Sequence, residues 1–558
     1  MRVPAYDNDR LAWGPAERRP ELPRSALRWL RARLGTDIAA TPTVPAAPTT
    51  EPGPVPTGAL PTAAAAEIGA LVGPAYLRDT PAARLAHAGG MSYLDLLRRR
   101  LAEPPALPDA VVLPADHEQT LELLRVCARH DVAVVPFGGG TSVVGGVEAL
   151  RGGHTAVVAV DLARLDRLLA VDRESLTATF QTGVTGPRAE ALLGAHGLTL
   201  GHLPQSFERA TLGGFAATRS AGQASTGYGR FDELVLGLLL ASPAGELRLG
   251  RAPRSAAGPD LRQLVLGSEG AFGIITELTV RVRPIPRHRR YEAWSLPSFA
   301  AGTDAVRHLA QAGLSPEVVR LSDPAETEAT LALSGSTPAT LLGRYYLRAR
   351  GQATPCLLVV GWEGTAVRRR RSAVAATLRR HGAVYLGQGP GRSWRRHRFD
   401  APFLRDTLLD AGLLVETLET AADWSRLDGL RTAVTDAVRH ALGGSVVGCH
   451  LSHTYPTGAS LYLTVLAARD RTDPVGQWLT AKRAASRAVL ANGGTITHHH
   501  AVGLDHRPWL TAEIGGLGVD VLRAVRARLD PRGICNPGKL VPPSDPHQRE
   551  PADPTRPP

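Results

Sequence analysis

The clearest hydrophobic pattern lies in residues 110–142 and predicts a strand, a helix, a second strand and a glycine loop, in that order. Asp116 followed by Gln119 is typical of a helix N-terminus. Three apolar side chains would share one face of this helix: Leu121, Leu124 and Ala128. The run VAVVPF at 132–137 predicts a buried strand. We therefore expect a β-α-β unit that leads into a glycine loop.

A second pattern, the alternation E-L-T-V-R-V-R at 277–283, predicts a strand that Pro284 and Pro286 end. Its buried face would carry Leu278, Val280 and Val282. Residues 290–500 mix apolar strands, such as 356–360 and 461–466, with helices rich in Arg and Ala. A domain boundary is therefore expected just after the prolines, followed by an α+β unit.

The two ends of the chain differ from its middle. A helix is predicted at 25–34, where Leu27 and Leu30 would dock it on the body of the protein. The Pro-, Thr- and Ala-rich stretch 36–66 predicts a linker without fixed structure, and 542–558 a disordered tail. A last helix is predicted from a stripe that Asp530 ends: Leu517, Val521, Val525 and Leu529.

Composition indicates a globular protein. The 558 residues are 43% hydrophobic and 21% charged, which suits several packed domains. No apolar run approaches the roughly 20 residues that cross a bilayer, and the N-terminus lacks a secretory signal, so we expect a soluble, cytoplasmic protein. The four cysteines are far apart, which favours reduced thiols: Cys127, Cys356, Cys449 and Cys535.

The chain is basic, with 64 Lys and Arg against 52 Asp and Glu, a formal charge of +12. This charge raises the question of a polyanionic partner. No nucleic-acid-binding motif accompanies it, and aromatic residues at 5% are too sparse for an evident base-stacking surface. We expect no nucleic acid partner, whereas an anionic small molecule remains open.

Glycines 138–140, followed by Thr141 and Ser142, offer bare backbone N–H groups that suit a pyrophosphate. The loop lacks the spacing of a Rossmann site and the G-K-[ST] ending of a nucleoside triphosphate loop, so on its own it could equally be a structural turn. Three further glycine-rich loops follow, at 204–214, 218–222 and 267–276.

In this order the loops resemble the FAD-binding domain of the vanillyl-alcohol oxidase and para-cresol methylhydroxylase superfamily. Within it the chain most resembles the alkyldihydroxyacetonephosphate synthases, from about Tyr76 to Leu540. The motifs that carry the resemblance are PFGGGTSVVGG, ATLGGFAATRSAG, LVLGSEGAFGIITELTVRVRP and ANGGTITHHHAVG. The first loops are shared with flavin-dependent 2-hydroxyacid dehydrogenases, and the histidine triplet favours the synthases.

The resemblance implies an α+β protein with a two-part PCMH-type FAD-binding domain and an α+β cap. The predicted divisions are an N-terminal helical segment (1–35), the linker (36–66), the FAD-binding domain (67–286), the cap or substrate domain (287–500), a segment that returns to the FAD side (501–541) and the tail (542–558). Thr141 stands where covalent flavoproteins of the superfamily often carry His, so FAD is expected to be noncovalent.

By the same resemblance, four loops would line FAD. Their residues are Pro136, Phe137, Gly138, Gly139, Gly140, Thr141 and Ser142; Gln205, Ser206, Phe207, Glu208, Arg209, Ala210 and Thr211; Thr218, Arg219, Ser220 and Ala221; and Glu269, Gly270, Ala271, Phe272, Gly273, Ile274 and Ile275. Gln205 stands where the synthases usually carry Asp, which removes a charge near the cofactor.

Tyr462 falls on the position of the synthases' catalytic tyrosine, and His498, His499 and His500 are the expected catalytic neighbours. A Tyr pKa near 10 would have to be lowered by those neighbours before the phenol could act as a base at neutral pH. The alternatives are a core tyrosine and a structural triplet. A metal site that adds Cys449, His450 and His453 has poor ligand geometry, so no metal is predicted.

Arg405 and Arg320 match family positions linked to substrate and activity, and a guanidinium suits a phosphate ester. Either could instead be one of the many surface arginines of this chain. Leu504 stands where the family generally carries a basic residue, so the anionic end of the substrate would be held differently.

The resemblance implies ether-lipid synthesis: the acyl group of acyl-dihydroxyacetone phosphate is exchanged for a fatty alcohol through a flavin N5 adduct. The alternative is an FAD-dependent dehydrogenase or oxidase of 2-hydroxyacids of the D-lactate or glycolate type. A nonenzymatic basic protein that binds nucleic acid or an anionic membrane is a third class. Expected partners are a phosphorylated or carboxylated small molecule, a membrane surface contacted peripherally, and a second copy in a homodimer.

Overall fold

The computed structural model describes residues 12–35, 55–101, 103, 106–334 and 338–542. Most of the predicted linker and the tail 543–558 therefore lie outside the described residues. The described chain divides between a region that runs to Pro284 and carries the glycine loops, and a cap that begins with the strand at Arg289.

The first region mixes short helices with strands. Its helices are α1 (Arg24–Leu34), α2 (Thr62–Val72), α3 (Pro81–Ala86), α4 (Tyr93–Arg100), α5 (His117–Arg129), α6 (Gly186–Gly194), α7 (Leu212–Thr218), α8 (Ser225–Tyr228), α9 (Phe231–Leu234) and α10 (Arg262–Val265). Its strands are β1 (Leu77–Arg78), β2 (Ala110–Val112), β3 (Val132–Phe137), β4 (Ala156–Asp161), β5 (Leu168–Asp172), β6 (Thr177–Gln181), β7 (Leu198–Thr199), β8 (Val235–Ser242), β9 (Gly245–Leu249), β10 (Ile274–Arg281) and β11 (Arg283–Pro284).

Two main sheets organise this region. The first has the order β1-β2-β4-β3, and β2, β4 and β3 run parallel. The second is antiparallel with the order β5-β6-β10-β8-β9. Each sheet packs against helices in an apolar cluster, and Ala241 and Ile274 of the second sheet also reach the cluster of the first.

The cap begins with β12 and consists of a single large sheet covered by helices. Its strands are β12 (Arg289–Leu296), β13 (Val318–Ser322), β14 (Cys356–Glu363), β15 (Val384–Gly387), β16 (Leu413–Asp423), β17 (Ser445–Thr454) and β18 (Gly458–Ala468). Its helices are α11 (Phe299–Gln311), α12 (Pro324–Leu333), α13 (Pro338–Ala349), α14 (Val367–Arg380), α15 (Gly389–His397), α16 (Ala401–Asp410), α17 (Leu427–Leu442) and α18 (Pro474–Ala491). Helix α19 (Leu510–Leu529) follows, and short 3-10 helices span Ala16–Arg18, Pro74–Tyr76 and Arg507–Trp509.

The cap sheet has the order β15-β12-β14-β13-β17-β18-β16. Its neighbouring strands are antiparallel, and its core includes Trp294, Trp362 and Leu461, all fully buried. The long pairing of β16 with β18 and of β17 with β18 places three strands side by side. Polar residues on these strands can therefore meet across the sheet.

Residues 12–35, which we call the strap, dock on the cap. Trp13 and Leu30 belong to the cap core. The backbone N–H of Trp13 donates to Asp406 Oδ2 of α16 at 2.6 Å, and Trp29 Nε1 donates to Glu328 of α12 at 3.0 Å. The predicted helix at 25–34 is therefore confirmed, and the strap packs against the cap.

The segment after the cap returns to the first region. Ile534 O accepts from Val134 N at 2.8 Å, and Asn536 N donates to Val134 O at 2.7 Å, alongside β3. Asn536 Nδ2 also donates to Gly146 O and Glu269 O, at 3.0 and 2.6 Å. These bonds hold the end of the described chain against two glycine loops.

Several local predictions need correction. Helix α2 begins at Thr62, inside the expected linker, because Ala64 and Ile68 pack fully buried in the core beside α5. The buried side of α5 includes Leu123 and Cys127 as well as Leu124, and Leu121 and Ala128 reach that core from its edge.

Two further predictions fail at the ends of elements. Pro284 does not end pairing, since Arg283 and Pro284 form β11 opposite β7. Of the stripe on α19, Leu517 and Val521 are 79% and 50% exposed, and only Val525 and Leu529 are partly buried. Both errors arise from contacts, or their absence, with segments far away in sequence.

All four cysteines are buried and free. Among the residues that the structure describes, no helix is both long and apolar enough to cross a membrane.

Candidate active site

The four glycine-rich loops converge at the ends of secondary-structure elements. The first follows β3, the second precedes α7, the third follows α7, and the fourth leads into β10. A Cβ atom on Gly139 would lie 2.1 Å from Arg209 O, and one on Gly270 would lie 2.7 Å from the Pro136 ring. Glycine is required because the backbones of separate loops touch here.

The first loop presents unpaired backbone donors. Within the described residues, the N–H groups of residues 138–142 donate to no protein acceptor. Gly140 has a φ of +63°, which turns the backbone so that successive N–H groups form a concave anion site. In the second loop, Gln205 Nε2 is buried and has no hydrogen-bond partner among the described residues. These free amide donors fit a bound pyrophosphate and its attached ring system.

Several side chains predicted to line FAD are engaged elsewhere. Glu208 pairs with Arg18 at 2.9 Å, and Arg209 Nη1 donates to Trp13 O. Arg219 turns to the carbonyls of Gln263 and Leu266. These three side chains therefore hold the loops in place, and their place along FAD stays a prediction.

The fourth glycine-rich loop also carries a side chain that makes hydrogen bonds within the protein. Glu269 is buried with a φ of +54°, and its carboxylate accepts from Val502 N and Gly503 N at 2.8 and 2.7 Å. Ala271 and Phe272 are fully buried in the small core beneath this loop. Glu269 therefore ties the glycine loop to the segment directly after the histidine triplet.

Tyr462 lies at the centre of the three paired cap strands. In register it faces Glu419 of β16 on one side and His450 of β17 on the other. Its ring stacks on His450 at 4.9 Å between centroids and meets His500 edge-on at 5.7 Å. The structure thus brings the predicted tyrosine and the triplet together, which their separation of about forty residues had left open.

Glu419 organises the triplet. Its carboxylate accepts backbone N–H groups from His498, His499 and His500 at 2.6, 3.2 and 2.9 Å, and the hydroxyl of Thr497 at 2.5 Å. The ring nitrogens of His499 and His500 lie 3.6 and 3.9 Å from the same carboxylate. One buried carboxylate therefore fixes both the backbone and the rings of the triplet.

Burial sets the proton affinities of the site. It lowers the pKa of His498 and of His500 to about 3, with Glu419 opposing. Burial would raise the pKa of Glu419, but the neighbouring histidines hold it well below its usual value. Burial raises the pKa of Tyr462 to about 12. The expectation that the triplet lowers the pKa of Tyr462 is therefore wrong in the ligand-free protein.

A hydrogen-bonded chain extends from the triplet. Tyr455 OH lies 2.8 Å from His498 Nε2, and His498 Nδ1 lies 2.9 Å from His499 Nδ1. Ser225 Oγ contacts His453 Nδ1 at 2.6 Å beside it. Ligand atoms of Glu419, His498 and His499 fall within 4.8 Å of one another. Glu419 accepts several backbone donors, and together these groups form one buried hydrogen-bonded network.

The two predicted arginines approach Tyr462 from different sides, and the charge of each lowers its pKa. Arg405 Nη1 donates to Met91 O at 2.9 Å, while its Nε is buried without a partner. Arg320 Nη2 pairs with Glu326 at 2.8 Å, and the same carboxylate oxygen contacts His450 Nδ1 at 2.8 Å. Arg405 is thus the arginine with a spare inward donor, and Arg320 is held in a pair.

The two departures from the family pattern have local explanations. Gln205 accepts weakly from Gln223 Nε2 at 3.4 Å and keeps its own amide donor free. Leu504 packs on Gly145, just after the first glycine loop, where a Cβ would lie 3.1 Å from its side chain. Leu504 therefore supports a cofactor loop and offers no charge to a substrate.

Sequence reasoning missed Glu419, Glu326 and Tyr455. Glu419 sits in the strand LLVETLETAA, whose leucines and valine predict burial, and a carboxylate in a buried strand signals a charge with a dedicated partner. Tyr455 is close to Tyr462 in sequence, but only the turn after β17 reveals that it reaches His498. Glu326 gives no local signal, because it acts across α12 and β17.

The comparisons with known proteins agree with this arrangement. Residues 108–250 match the family described as "FAD binding domain", and residues 285–540 match "FAD linked oxidases, C-terminal domain". The chain is 34% identical over 490 residues to alkyldihydroxyacetonephosphate synthase from Dictyostelium discoideum, which covers 85% of this chain and 80% of that protein. It is 29% identical over 446 residues to a probable mitochondrial D-lactate dehydrogenase from Danio rerio, covering 78% and 84%.

Among solved structures, too, a synthase is more similar to the chain than another flavoprotein is. A crystal structure of an alkyldihydroxyacetonephosphate synthase superposes with a TM-score of 0.79 at 30% identity and covers 92% of each chain. A p-cresol methylhydroxylase with substrate bound superposes with a TM-score of 0.64 at 15% identity, covering 86% of this chain and 96% of that one. The latter likeness shows the fold alone, and it confirms the predicted PCMH-type domain with an α+β cap.

Proposed function

The chain belongs to the alkyldihydroxyacetonephosphate synthase family of FAD-linked oxidases, and from this premise we propose that it exchanges the acyl group of acyl-dihydroxyacetone phosphate for a fatty alcohol. It is an FAD-dependent enzyme. The observation that carries the proposal is Tyr462 held between Glu419 and His450 and faced by the histidine triplet. A dehydrogenase is the weaker alternative.

FAD fits the glycine-loop side. The unpaired amides of residues 138–142 would hold its pyrophosphate, and Gln205 Nε2 offers a further donor. These donors are neutral amide groups, which suits recognition of the pyrophosphate by backbone dipoles. Bound FAD supplies an electrophilic centre that retains the substrate carbon while one oxygen substituent is exchanged for another. Attachment is proposed to be noncovalent because Thr141 provides no imidazole to link to the cofactor.

Arg405 and Arg320 would fix the substrate's phosphate. Arg405 has an inward Nε without a partner and is proposed as the primary ligand. Arg320 is paired with Glu326, which also contacts His450. Its charge therefore acts on the substrate while it helps to set the position of His450 beside Tyr462.

Proton transfer falls to Tyr462 and the triplet. A phenol with a pKa of about 12 is protonated at neutral pH, so Tyr462 is proposed to donate a proton to a departing oxygen. The imidazoles are neutral in the ligand-free protein. An anionic phosphate beside them favours their protonated form, so substrate binding would allow one of them to accept the proton lost from carbon.

We also propose that the enzyme is cytoplasmic and contacts membranes peripherally, because both fatty substrates partition into lipid. Helix α13 supports the contact, since Leu342, Tyr345 and Tyr346 are exposed on it beside Arg348. A homodimer remains a prediction from the sequence. Flotation with anionic vesicles and sedimentation equilibrium would test the two points separately.

An anaerobic visible spectrum of the purified enzyme is the deciding experiment. A yellow protein whose flavin band survives a panel of D-2-hydroxyacids, and which releases carboxylate from acyl-dihydroxyacetone phosphate only when a fatty alcohol replaces it, supports the proposal. Bleaching by a hydroxyacid, with recovery on adding an electron acceptor, would establish the dehydrogenase instead. A colourless protein that binds no FAD would overturn both.

A further inference from the structure

Two cap helices present a cluster of ligand-forming side chains far in sequence from the triplet. Asp304 and His308 lie one turn apart on α11, and His381 ends α14, which packs against α11. His308 Nδ1 lies 3.0 Å from His381 Nε2. Asp304 Oδ2 lies 3.2 Å from His381 Nε2 and 3.7 Å from His308 Nδ1. Three ligand atoms thus converge on one point.

These separations match a metal's requirements. With zinc–ligand bonds of about 2.0 to 2.2 Å, two ligands of a tetrahedral zinc ion lie roughly 3.3 to 3.6 Å apart. We propose that Asp304 Oδ2, His308 Nδ1 and His381 Nε2 bind a zinc ion, with the fourth position open to water because the cluster lies at the surface. This cluster is separate from the triplet and from Cys449, His450 and His453, at which no metal is predicted from the sequence.

Two of the three ligands are oriented by a second contact, as in protein metal sites. His381 Nδ1 donates to Thr377 O at 2.9 Å, which leaves the lone pair of Nε2 facing the cluster. Arg307 pairs with Asp304 Oδ1, which leaves Oδ2 free to face the histidines. The ring of His381 and the carboxylate of Asp304 are therefore positioned before any ion binds.

His308 is the ligand that must adjust. With His381 Nε2 as acceptor, the bond between the two rings places the proton on His308 Nδ1. Zinc needs that nitrogen unprotonated, so the proton must leave Nδ1 and Nε2 must carry it instead. His308 Nε2 lies 3.4 Å from Arg307 Nη2. Because the guanidinium nitrogen is itself a donor, this contact opposes a proton on His308 Nε2. The affinity is therefore expected to be roughly micromolar rather than that of a closed structural site.

The site would join α11 to α14 across the outside of the cap. It shares no residue with the flavin loops or with the triplet, so it is independent of the proposed reaction. Its expected effect is on stability, because a ligand that binds only the folded state raises its apparent stability.

The test is a titration of the purified, full-length holoenzyme with zinc chloride, followed by calorimetry. One equivalent should bind with a Kd of about 10 µM or tighter, and a hundredfold excess over Kd should raise the Tm by about 3 °C. Asp304→Asn and His381→Gln should each weaken binding at least tenfold. His397→Gln, an exposed histidine outside the cluster, should leave it unchanged.

Zinc could instead occupy the buried triplet, so its position must be measured. Anomalous diffraction at the zinc edge should show the ion between α11 and α14. An ion at Glu419 and His499, or binding that survives both substitutions in folded variants, would overturn the proposal. So would the absence of binding at 100 µM zinc. Circular dichroism would confirm folding, and His308→Gln provides a further variant should either of the others fail to fold.

Discussion

The two walls of the site are built from different groups, backbone amides on the glycine side and buried side chains on the cap side. On the glycine side, the first loop offers backbone N–H groups that have no partner within the part of the chain that the structure describes. On the cap side, Glu419 and the triplet satisfy one another through short hydrogen bonds. One wall is incomplete without a ligand, whereas the other is already a finished network. The difference teaches that the proposed FAD site rests on backbone shape, while the proposed proton transfer rests on buried side chains that shift one another's pKa values.

If this division is right, the largest loss of turnover should come from the cap wall with no loss of cofactor. Tyr462→Phe should lower kcat for acyl–alkyl exchange by about a thousandfold, because it removes the proposed proton donor. FAD content, measured from the visible spectrum, should be unchanged.

Tyr385→Phe is the matched control, since its partly exposed hydroxyl lies at the far edge of the cap sheet. A Tyr462→Phe enzyme with normal turnover and an unaltered pH profile would remove Tyr462 from the mechanism.

The converse experiment damages the glycine wall alone. Gly139→Ala would place a Cβ 2.1 Å from Arg209 O and force two loops apart. FAD affinity should fall by about a hundredfold, consistent with local strain of 1–3 kcal/mol. Equilibrium dialysis against FAD would measure the loss.

Gly194→Ala is the control, because it lies in a helix with open space around its Cβ position. Equal FAD affinity in Gly139→Ala and wild type would show that the contact between these loops does not shape the cofactor site.

A subtler change asks whether the cap wall works through charge. Glu419→Gln should lower kcat by about tenfold, since it removes an anion that favours protonated imidazoles. The pKa values of the triplet's imidazoles should fall further. If the free enzyme must hold a neutral imidazole, the acid limb of the kcat/KM profile should move to lower pH.

A pH profile recorded with Glu328→Gln, a surface carboxylate of the cap, gives the baseline. If the acid limb of Glu419→Gln stays in place while its Tm drops, Glu419 supports only the structure and has no electrostatic role.

The smallest expected effect concerns the strap, which touches both walls. Arg18→Ala removes a half-exposed ion pair with Glu208 and a contact over Phe403. The free energy of unfolding, measured by denaturant titration, should change by less than about 1 kcal/mol, as for other exposed pairs. FAD affinity should change less than about threefold. A loss of FAD as large as that of Gly139→Ala would mean that the strap holds the cofactor loop in shape.

The same division explains what could be predicted from sequence. The glycine loops are contiguous and repeat a recognisable pattern, so FAD binding and the fold followed from short stretches of residues. The approach of Tyr462 to the triplet depends on a register between β16, β17 and β18 that no local pattern encodes. The raised pKa of Tyr462 could not be predicted either, because burial is a property of the packed sheet and not of the segment.

The partners of individual side chains were least accessible. Glu269 stands in a glycine motif, yet its carboxylate serves Val502 and Gly503, over two hundred residues away. Helix α2 lies in a stretch whose composition is typical of a linker, and only its packing beside α5 shows that it is part of a core.

The strap has a consequence for the order in which the molecule is made. Trp13 and Arg18 emerge from the ribosome early, but the helix that carries Asp406 and Phe403 is synthesised nearly four hundred residues later. At 5–20 residues per second, this delay is tens of seconds. Trp13 therefore stays exposed until the cap has been synthesised. Some of the first residues made thus form some of the last native contacts.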